Sequence, residues 1–159
     1  MNLTTLAVYA VRAYRRAVFF GKSFGGVQSV GARFVVGPGV RIARGAELRF
    51  GDRVSIGADM TVHTHLDIGD DVMISSSVAF IGNDHDFSDP TKTIQEQARL
   101  PRARIVLEGD NLIGFGATLL GSVTVGHGSI VGAGSLVLHD VPSNSVCVGR
   151  PAVVVGKRR

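Results

Sequence analysis

A six-residue repeat of apolar side chains constrains the fold of this chain more than any other feature of its sequence. Two series of apolar residues recur at every sixth position, and glycine follows half of their members. An α-helix repeats about every 3.6 residues, so residues spaced six apart would not lie on one face of a helix. The frequent Gly, Asn and Asp argue against long strands. The two series are Phe50, Ile56, Val62, Ile68, Ile74 and Phe80, then Leu107, Ile113, Leu119, Val125, Val131 and Val137.

Each hexapeptide has a second position whose side chain we expect to point into the core. Four residues after most members of the series stands another small or apolar residue: Val54, Met60, Leu66, Val72, Val78, Ala117, Val123, Ser129 and Ser135. Short strands joined by tight corners satisfy both periodicities, and three hexapeptides make one triangular coil. We expect the glycines at these corners because the backbone angles there are unusual. A weaker run at Val30, Val36, Ile42 and Leu48 is two residues out of frame.

The later repeats carry the most specific motifs. They read IGFGAT at 113–118, VGAGS at 131–135, DVP at 140–142 and GRPA at 149–152. These residues resemble the last coils and C-terminal signature of the hexapeptide-repeat acyltransferases, closest to the maltose, galactoside and polysaccharide O-acetyltransferases. The resemblance implies an all-β, left-handed parallel β-helix over 27–159, with a C-terminal tail at 146–159, after an N-terminal helix and lead-in at 1–26. Its left hand comes only from the resemblance, because ordinary crossovers are right-handed.

The repeat breaks at 82–106, where we predict one long loop. Loops of this length in compact domains are usually functional or disordered. This one contains Asn83-Asp84-His85-Asp86-Phe87, which is similar to the loop motif that holds the catalytic histidine of the family. The resemblance implies that His85 is a general base, a task that suits histidine because its reference pKa is about 6.5. Asp84, Asp86 or a backbone carbonyl would orient its ring.

The candidate acceptor-binding residues are polar. We predict that Asn83, Asp84, Asp86 and His63 contact the acceptor. His63 and His65 precede His85 by about one coil, and they equally fit exposed positions on a strand. Galactoside-type members have a substrate-binding Asn on an early coil; the best-matching position here is Gly57, so Asn83 is the candidate replacement.

Acetyl-CoA is the expected acyl donor. Its long amide-bearing arm can lie along stacked coils where small residues expose the main chain. The resemblance implies main-chain contacts at Phe115, Ala133 and Leu138. Arg150, with Lys157 and Arg158, is a candidate for the CoA phosphates, because His139 and Val153 stand where the family commonly has Lys and Arg. The predicted donor-binding set is Gly114, Phe115, Gly116, Ala133, Gly134, Leu138, His139 and Arg150.

The resemblance implies an O-acetyltransferase that acts on a sugar, polysaccharide or glycolipid hydroxyl, and it implies a homotrimer. Two alternatives stay open. One is a γ-class carbonic anhydrase with zinc on three histidines, and the other is a non-catalytic binding module. We expect no metal, because His85 has no histidine downstream until His127.

The charge and the cysteine content indicate which partners and which cellular compartment to expect. The net charge is +4, and basic residues cluster at both ends without aromatic interleaving, so we expect no nucleic-acid partner. The single Cys147 fits a core residue in a reducing compartment, and we predict a cytoplasmic protein. The apolar start lacks a preceding positive region and is shorter than the ~20 residues of a membrane span. It predicts a basic helix that packs on the body or another subunit, or rests on a membrane, with one face formed by Leu3, Leu6, Ala10, Ala13 and Ala17.

Overall fold

The structure, a computed structural model, describes residues 3–22 and 26–158. In these ranges an N-terminal helix, α1 (Leu3–Lys22), precedes seventeen short strands that wind into a parallel solenoid of about six turns. The strands form three sheets, one on each side of a triangular column.

The three sheets run along the column. Sheet A contains β1 (Val27–Val30), β4 (Leu48–Phe50), β7 (His65–Ile68), β10 (Arg104–Leu107) and β13 (Thr124–Val125). Sheet B contains β2 (Val35–Val36), β5 (Ser55–Ile56), β8 (Met73–Ile74), β11 (Leu112–Ile113), β14 (Ile130–Val131), β16 (Ser145–Gly149) and β17 (Ala152–Lys157). Sheet C contains β3 (Arg41–Ile42), β6 (Thr61–Val62), β9 (Ala79–Ile81), β12 (Thr118–Leu120) and β15 (Leu136–Val137).

The strand register explains the frame shift in the sequence. Ser55 pairs with Met73 and Leu112 with Ile130, so a regular coil is 18 residues long. Val35 pairs with Ser55, which makes the first coil 20 residues long. The two extra residues lie in the corner between β3 and β4. The solenoid ends in a hairpin, because β16 and β17 are antiparallel, and the predicted tail is in strand conformation to Lys157.

The core confirms the apolar ladder. All twelve residues of the two six-residue series are buried, as are the nine residues at the second inward position. All but Ser129 and Ser135 belong to one hydrophobic cluster that runs through the column, and Cys147 joins it at its C-terminal end. Burial raises the pKa of the Cys147 thiol, which keeps it protonated and unreactive.

The expected unusual backbone angles are confirmed at Gly116 (φ 66°), Gly128 (73°) and Gly134 (67°), but they do not explain the glycines that follow the apolar series. None of the glycines that follow the apolar series has a positive φ; that angle falls two residues later, at Arg53 (55°), Asp59 (59°) and Asp71 (59°). The glycines are needed for a different reason, which is the close approach of the next coil. A Cβ on Gly69 would lie 2.7 Å from the carbonyl carbon of Glu108. The backbone of the adjacent coil therefore excludes any side chain there.

The helix packs through a different face from the predicted one. Leu6, Ala10, Ala13 and Ala17 are all exposed, and the side chain of Leu3 lies outside the described residues. Instead Phe19, only 4% exposed, closes the N-terminal end of the column. Its ring centroid lies 5.5 Å from that of Phe34 and 5.9 Å from that of Phe50. Aromatic packing at one end of the helix outweighed its alanine-rich stripe.

The outer faces of sheets A and B differ in chemistry. On sheet A, Arg104 donates to both Asp67, at 2.9 Å, and Glu47, at 3.0 Å. On sheet B the outward side chains include exposed Val35, Met73 and Leu112. The column is thus ionic on one side and apolar on another.

The close coil contact predicts that Gly69→Ala destabilises the protein. Overpacking against a main chain that cannot retreat costs about 1–3 kcal/mol, and the melting temperature should fall by roughly 2–4 °C for each kcal/mol. Gly156→Ala is the matched control, because no atom lies within 4 Å of its added Cβ. Thermal unfolding followed by circular dichroism compares the two variants; equal melting temperatures would refute the steric explanation.

Candidate active site

A flap leaves the column where the repeat breaks. The flap (residues 82–103) connects β9 of sheet C to β10 of sheet A. It is three residues shorter than the predicted loop, because Arg104–Leu107 resumes the solenoid beside β7. Thr64, fully buried, donates its hydroxyl to the carbonyl of Ala103, and the N–H of His65 donates to the same oxygen at 3.0 Å. These bonds fix the end of the flap to the preceding coil.

Main-chain pairing within the flap positions His85. The N–H of Asp86 donates to the carbonyl of Ala98 at 2.8 Å, and the N–H of Leu100 donates to the carbonyl of Asp84 at 2.7 Å. His85 therefore lies directly opposite Arg99 in an antiparallel bridge. A paired strand orients a side chain better than an irregular loop does.

The carboxylate of Asp84 contacts the ring of His85. Its Oδ1 lies 2.9 Å from His85 Nδ1, a hydrogen-bond distance. A neutral ring that keeps its proton on Nδ1, beside the carboxylate, carries its lone pair on Nε2. Of the three orienting groups that the sequence left open, this carboxylate is the one that contacts the ring. Asp86 instead accepts the N–H of Ser88 at 2.9 Å, a bond that lowers the pKa of Asp86 and holds the flap turn.

A cavity of about 300 Å³ lies between the flap and the edge of sheet C. It brings together three of the four residues predicted to contact the acceptor, His63, Asn83 and Asp84, but not Asp86. Asn83 donates its Nδ2 to the carbonyl of Pro101 at 3.2 Å, across the flap. The other lining residues are Ala43, Ile81, Gly82, Arg99, Leu100 and Arg102.

His65 is excluded from the cavity by its own hydrogen bond. Its Nδ1 accepts the N–H of Glu47 at 3.1 Å, and burial, opposed by the charge of Glu47, lowers the pKa of His65. It is a neutral acceptor that supports the longer corner between β3 and β4. His127 and His139 are exposed, as expected for outward positions on the coils.

The predicted donor-binding residues flank sheet C at two corners. The corner from sheet B to sheet C holds Gly114, Phe115, Gly116, Ala133, Gly134 and Arg150, and the corner from sheet C to sheet A holds Leu138 and His139. Gly134 donates its N–H to the carbonyl of Phe115 at 2.7 Å, and Arg150 donates to the carbonyl of Gly134 at 3.1 Å. Open space surrounds the Cβ positions of Gly116 and Gly134. At Gly114 a Cβ would lie 2.5 Å from Ala133 N, so that glycine serves coil stacking.

Sequence reasoning missed the two arginines of the cavity. Arg99 and Arg102 lie on the returning half of the flap, outside the six-residue period. Arg102 donates to the carbonyl of Arg44 at 3.0 Å, across the longer corner between β3 and β4. The signal that could have found them is the absence of acidic residues from 97–107 around three arginines.

Three curated relatives are acetyltransferases by name. The probable acetyltransferase Rv3034c of Mycobacterium tuberculosis is 34% identical over 119 residues, covering 74% of this chain and 39% of that protein. Serine acetyltransferase of Bacillus licheniformis is 34% identical over 161 residues, covering 96% and 66%. The putative colanic acid biosynthesis acetyltransferase WcaF of Escherichia coli is 31% identical over 147 residues, covering 91% and 76%. This chain thus spans less than two thirds of the first two relatives. No protein-family model matches the sequence.

Solved structures share the fold. The hexapeptide-repeat acetyltransferase VCA0836 of Vibrio cholerae, in complex with acetyl coenzyme A, matches with a TM-score of 0.78 and 26% identity, over 91% of this chain and 78% of that one. This chain belongs to the hexapeptide-repeat acetyltransferases. A galactoside acetyltransferase in complex with coenzyme A matches with a TM-score of 0.75 and 21% identity, over 93% and 80%, and shows the fold alone. The left-handed β-helix and the mostly β class expected from the sequence are thereby confirmed.

The zinc alternative gains no support in this hexapeptide-repeat acetyltransferase. Within residues 3–22 and 26–158, no three His, Cys, Asp or Glu side chains group closely enough to hold a metal ion. A carbonic anhydrase site needs three zinc-binding histidines. In the same part of the chain, no helix combines the length and apolar character needed to cross a membrane.

Proposed function

We propose that this protein transfers an acetyl group from acetyl-CoA to a hydroxyl of a sugar, polysaccharide or glycolipid, with His85 as the general base. The observation that carries the proposal is the Asp84–His85 pair at 2.9 Å, held on a paired flap beside a polar cavity. Family membership supports the reaction class, and the oriented ring supports the role of the histidine.

The chemistry assigned to His85 is a single proton relay. The acceptor oxygen bonds to the acetyl carbonyl carbon, the thioester C–S bond breaks, and Nε2 takes the hydroxyl proton and delivers it to the departing sulfur. Asp84 stabilises the ring while it is positively charged. Nδ1 remains hydrogen-bonded throughout, so Asp84 is a positioning residue for the base.

Two findings support a carbohydrate acceptor. One solved structure with the same fold is named a galactoside acetyltransferase, and the curated relative WcaF is named for colanic acid biosynthesis. The cavity wall also offers hydrogen-bonding groups from His63 and Asn83, which suit a polyhydroxylated ligand. Asn83 Oδ1 accepts no hydrogen bond from the described residues and is available to an acceptor hydroxyl.

The donor is proposed to lie along the corner from sheet B to sheet C. The open Cβ positions of Gly116 and Gly134 leave the main chain accessible to a thin, amide-bearing arm. Arg150 at the same corner supplies a positive charge for a phosphate group. VCA0836, with acetyl coenzyme A bound, shows that a closely similar column accommodates this ligand.

Substitution of the base tests the assignment. We expect His85→Ala to lower kcat by about 10²- to 10⁴-fold, since a positioned base contributes that much, while leaving the KM for acetyl-CoA unchanged. Asp84→Asn should give a smaller loss of kcat, because the ring loses its preferred tautomer. Steady-state thiol release measures both variants, with the exposed His127→Ala as control. Full transfer rate in His85→Ala would show that another group takes the proton.

The proposed assembly is a homotrimer with each active site between two columns. In one chain the flap and most of the donor-binding residues lie at different corners, so a neighbouring column can complete each site. The apolar outer face of sheet B, with Met73 59% exposed, offers a surface for such packing.

Solution mass tests the assembly. Light scattering coupled to size exclusion should give about three times the chain mass of 16.7 kDa. Met73→Glu with Leu112→Glu should shift the species toward the monomer by placing charge in the apolar face. Ser29→Glu on sheet A is the control and should leave the mass unchanged. A monomeric wild-type protein at micromolar concentration contradicts the assembly.

The N-terminal helix is proposed to rest on an anionic membrane surface of the cytoplasm. It carries Arg12, Arg15 and Arg16 without an acidic residue, and Tyr14 is 70% exposed among other outward apolar residues. A basic helix with exposed apolar and aromatic groups binds at the headgroup boundary.

Vesicle sedimentation tests the membrane contact. The protein should pellet with phosphatidylcholine vesicles that contain phosphatidylglycerol, and less with phosphatidylcholine alone. Arg12→Gln with Arg15→Gln should weaken binding by about tenfold or more, because each surface arginine contributes roughly 1 kcal/mol. Lys92→Gln on the flap is the control. Equal sedimentation with both vesicle types would reject the electrostatic contact.

A further inference from the structure

The cavity beneath the flap has an unbalanced charge. Arg99 and Arg102 both line it, and the only carboxylate among its lining residues, that of Asp84, is paired with His85. No ion pair joins either guanidinium to a carboxylate within the described part of the chain; the one bond from Arg102 goes to the carbonyl of Arg44. The cavity therefore keeps two uncompensated positive charges.

Some arginines of the column are neutralised by carboxylates, whereas others, such as Arg41 and Arg150, bond only to a hydroxyl or a carbonyl. Arg49 lies 3.2 Å from Asp67, Arg53 is bonded to Asp71, and Arg104 contacts Asp67 and Glu47. Arg104, two residues after Arg102, turns outward to sheet A and is paired there. The two arginines that face the cavity are thus left with positive charge that a ligand can neutralise.

The position of Arg99 links this charge to the proposed chemistry. Arg99 and His85 are directly opposite in the antiparallel bridge of the flap. Side chains of such a pair lie on the same face, with Cβ atoms about 4.5–5.5 Å apart. His85 itself does not line the cavity, but the bridge places it beside Arg99, which does. An anionic group held by Arg99 would therefore bring a hydroxyl of the same molecule close to the base.

Resting on the acetyl transfer proposed above, we propose that this cavity selects an acceptor that carries an anionic group beside the acetylated hydroxyl. Arg99 and Arg102 bind that group, a carboxylate or a phosphate, because the planar guanidinium matches both by paired N–H donors. They are specificity residues, and His85 remains the group that moves the proton. The substrate class is an acidic or phosphorylated sugar rather than a neutral glycoside.

A set of matched acceptors tests the contribution of the anionic group separately from that of the sugar ring. Methyl glucuronide, glucose 1-phosphate and methyl glucoside share a ring and differ in anionic group, and the first two distinguish a carboxylate from a phosphate. We expect kcat/KM for one of the anionic sugars to exceed that for methyl glucoside. Arg99→Gln and Arg102→Gln should each raise the KM for that sugar by about 10- to 100-fold, and leave the KM for acetyl-CoA and for methyl glucoside unchanged.

Lys92→Gln is the control variant, because it removes a positive charge from the same flap outside the cavity. Calorimetric titration of the three sugars into His85→Ala protein measures binding without turnover. Preference for methyl glucoside, binding of neither anionic sugar, or equal effects of the arginine variants on charged and neutral acceptors would overturn the proposal. Failure of the acetyl transfer itself would be distinct, because acetyl-CoA would then neither bind nor be consumed with any acceptor.

Discussion

The stacking of coils at main-chain contact is the constraint on which the rest of this structure depends. Each coil donates its N–H groups to the carbonyls of the next, and the column interior is filled by apolar side chains at two positions of every hexapeptide. The corner glycines permit this approach because the adjacent backbone occupies the space of a Cβ. A parallel ladder of this kind satisfies the buried polar groups of the main chain while the interior stays apolar. The column is therefore a rigid frame.

On that frame, the surroundings of two histidines differ. His65 lies against the column, accepts a backbone N–H and has its pKa lowered by burial. His85 lies on the flap, with Nδ1 2.9 Å from the carboxylate of Asp84. The ring of His65 is occupied by a bond to the backbone, whereas the ring of His85 faces a carboxylate, as the proposed general base requires. Residue type alone does not separate them; the partner of each ring nitrogen does.

Periodicity made the column predictable from sequence, whereas contacts outside the period were not predictable. The buried ladder and the position of the flap come directly from residues that recur, or cease to recur, every six positions. The packed side of α1 could not be predicted from its alanine-rich stripe, because Phe19 packs on Phe34 and Phe50 at the end of the column. Arg99 opposite His85 depends on the register of a hairpin within the flap, and nothing in the local sequence sets that register. Only the distance from its carboxylate to the ring distinguished Asp84 from the other orienting candidates.

The anchoring of the flap has an evolutionary consequence. Its return to the column is fixed by Thr64 on the preceding coil, and Ile105 resumes pairing with Leu66 as though no residues had intervened. Loop closure costs little more free energy as a loop lengthens, so exchange of this segment for another of different size leaves the solenoid intact. Descendants of such a chain can exchange this one insertion while they inherit the rest of the column unaltered, which makes the protein modular within a single domain.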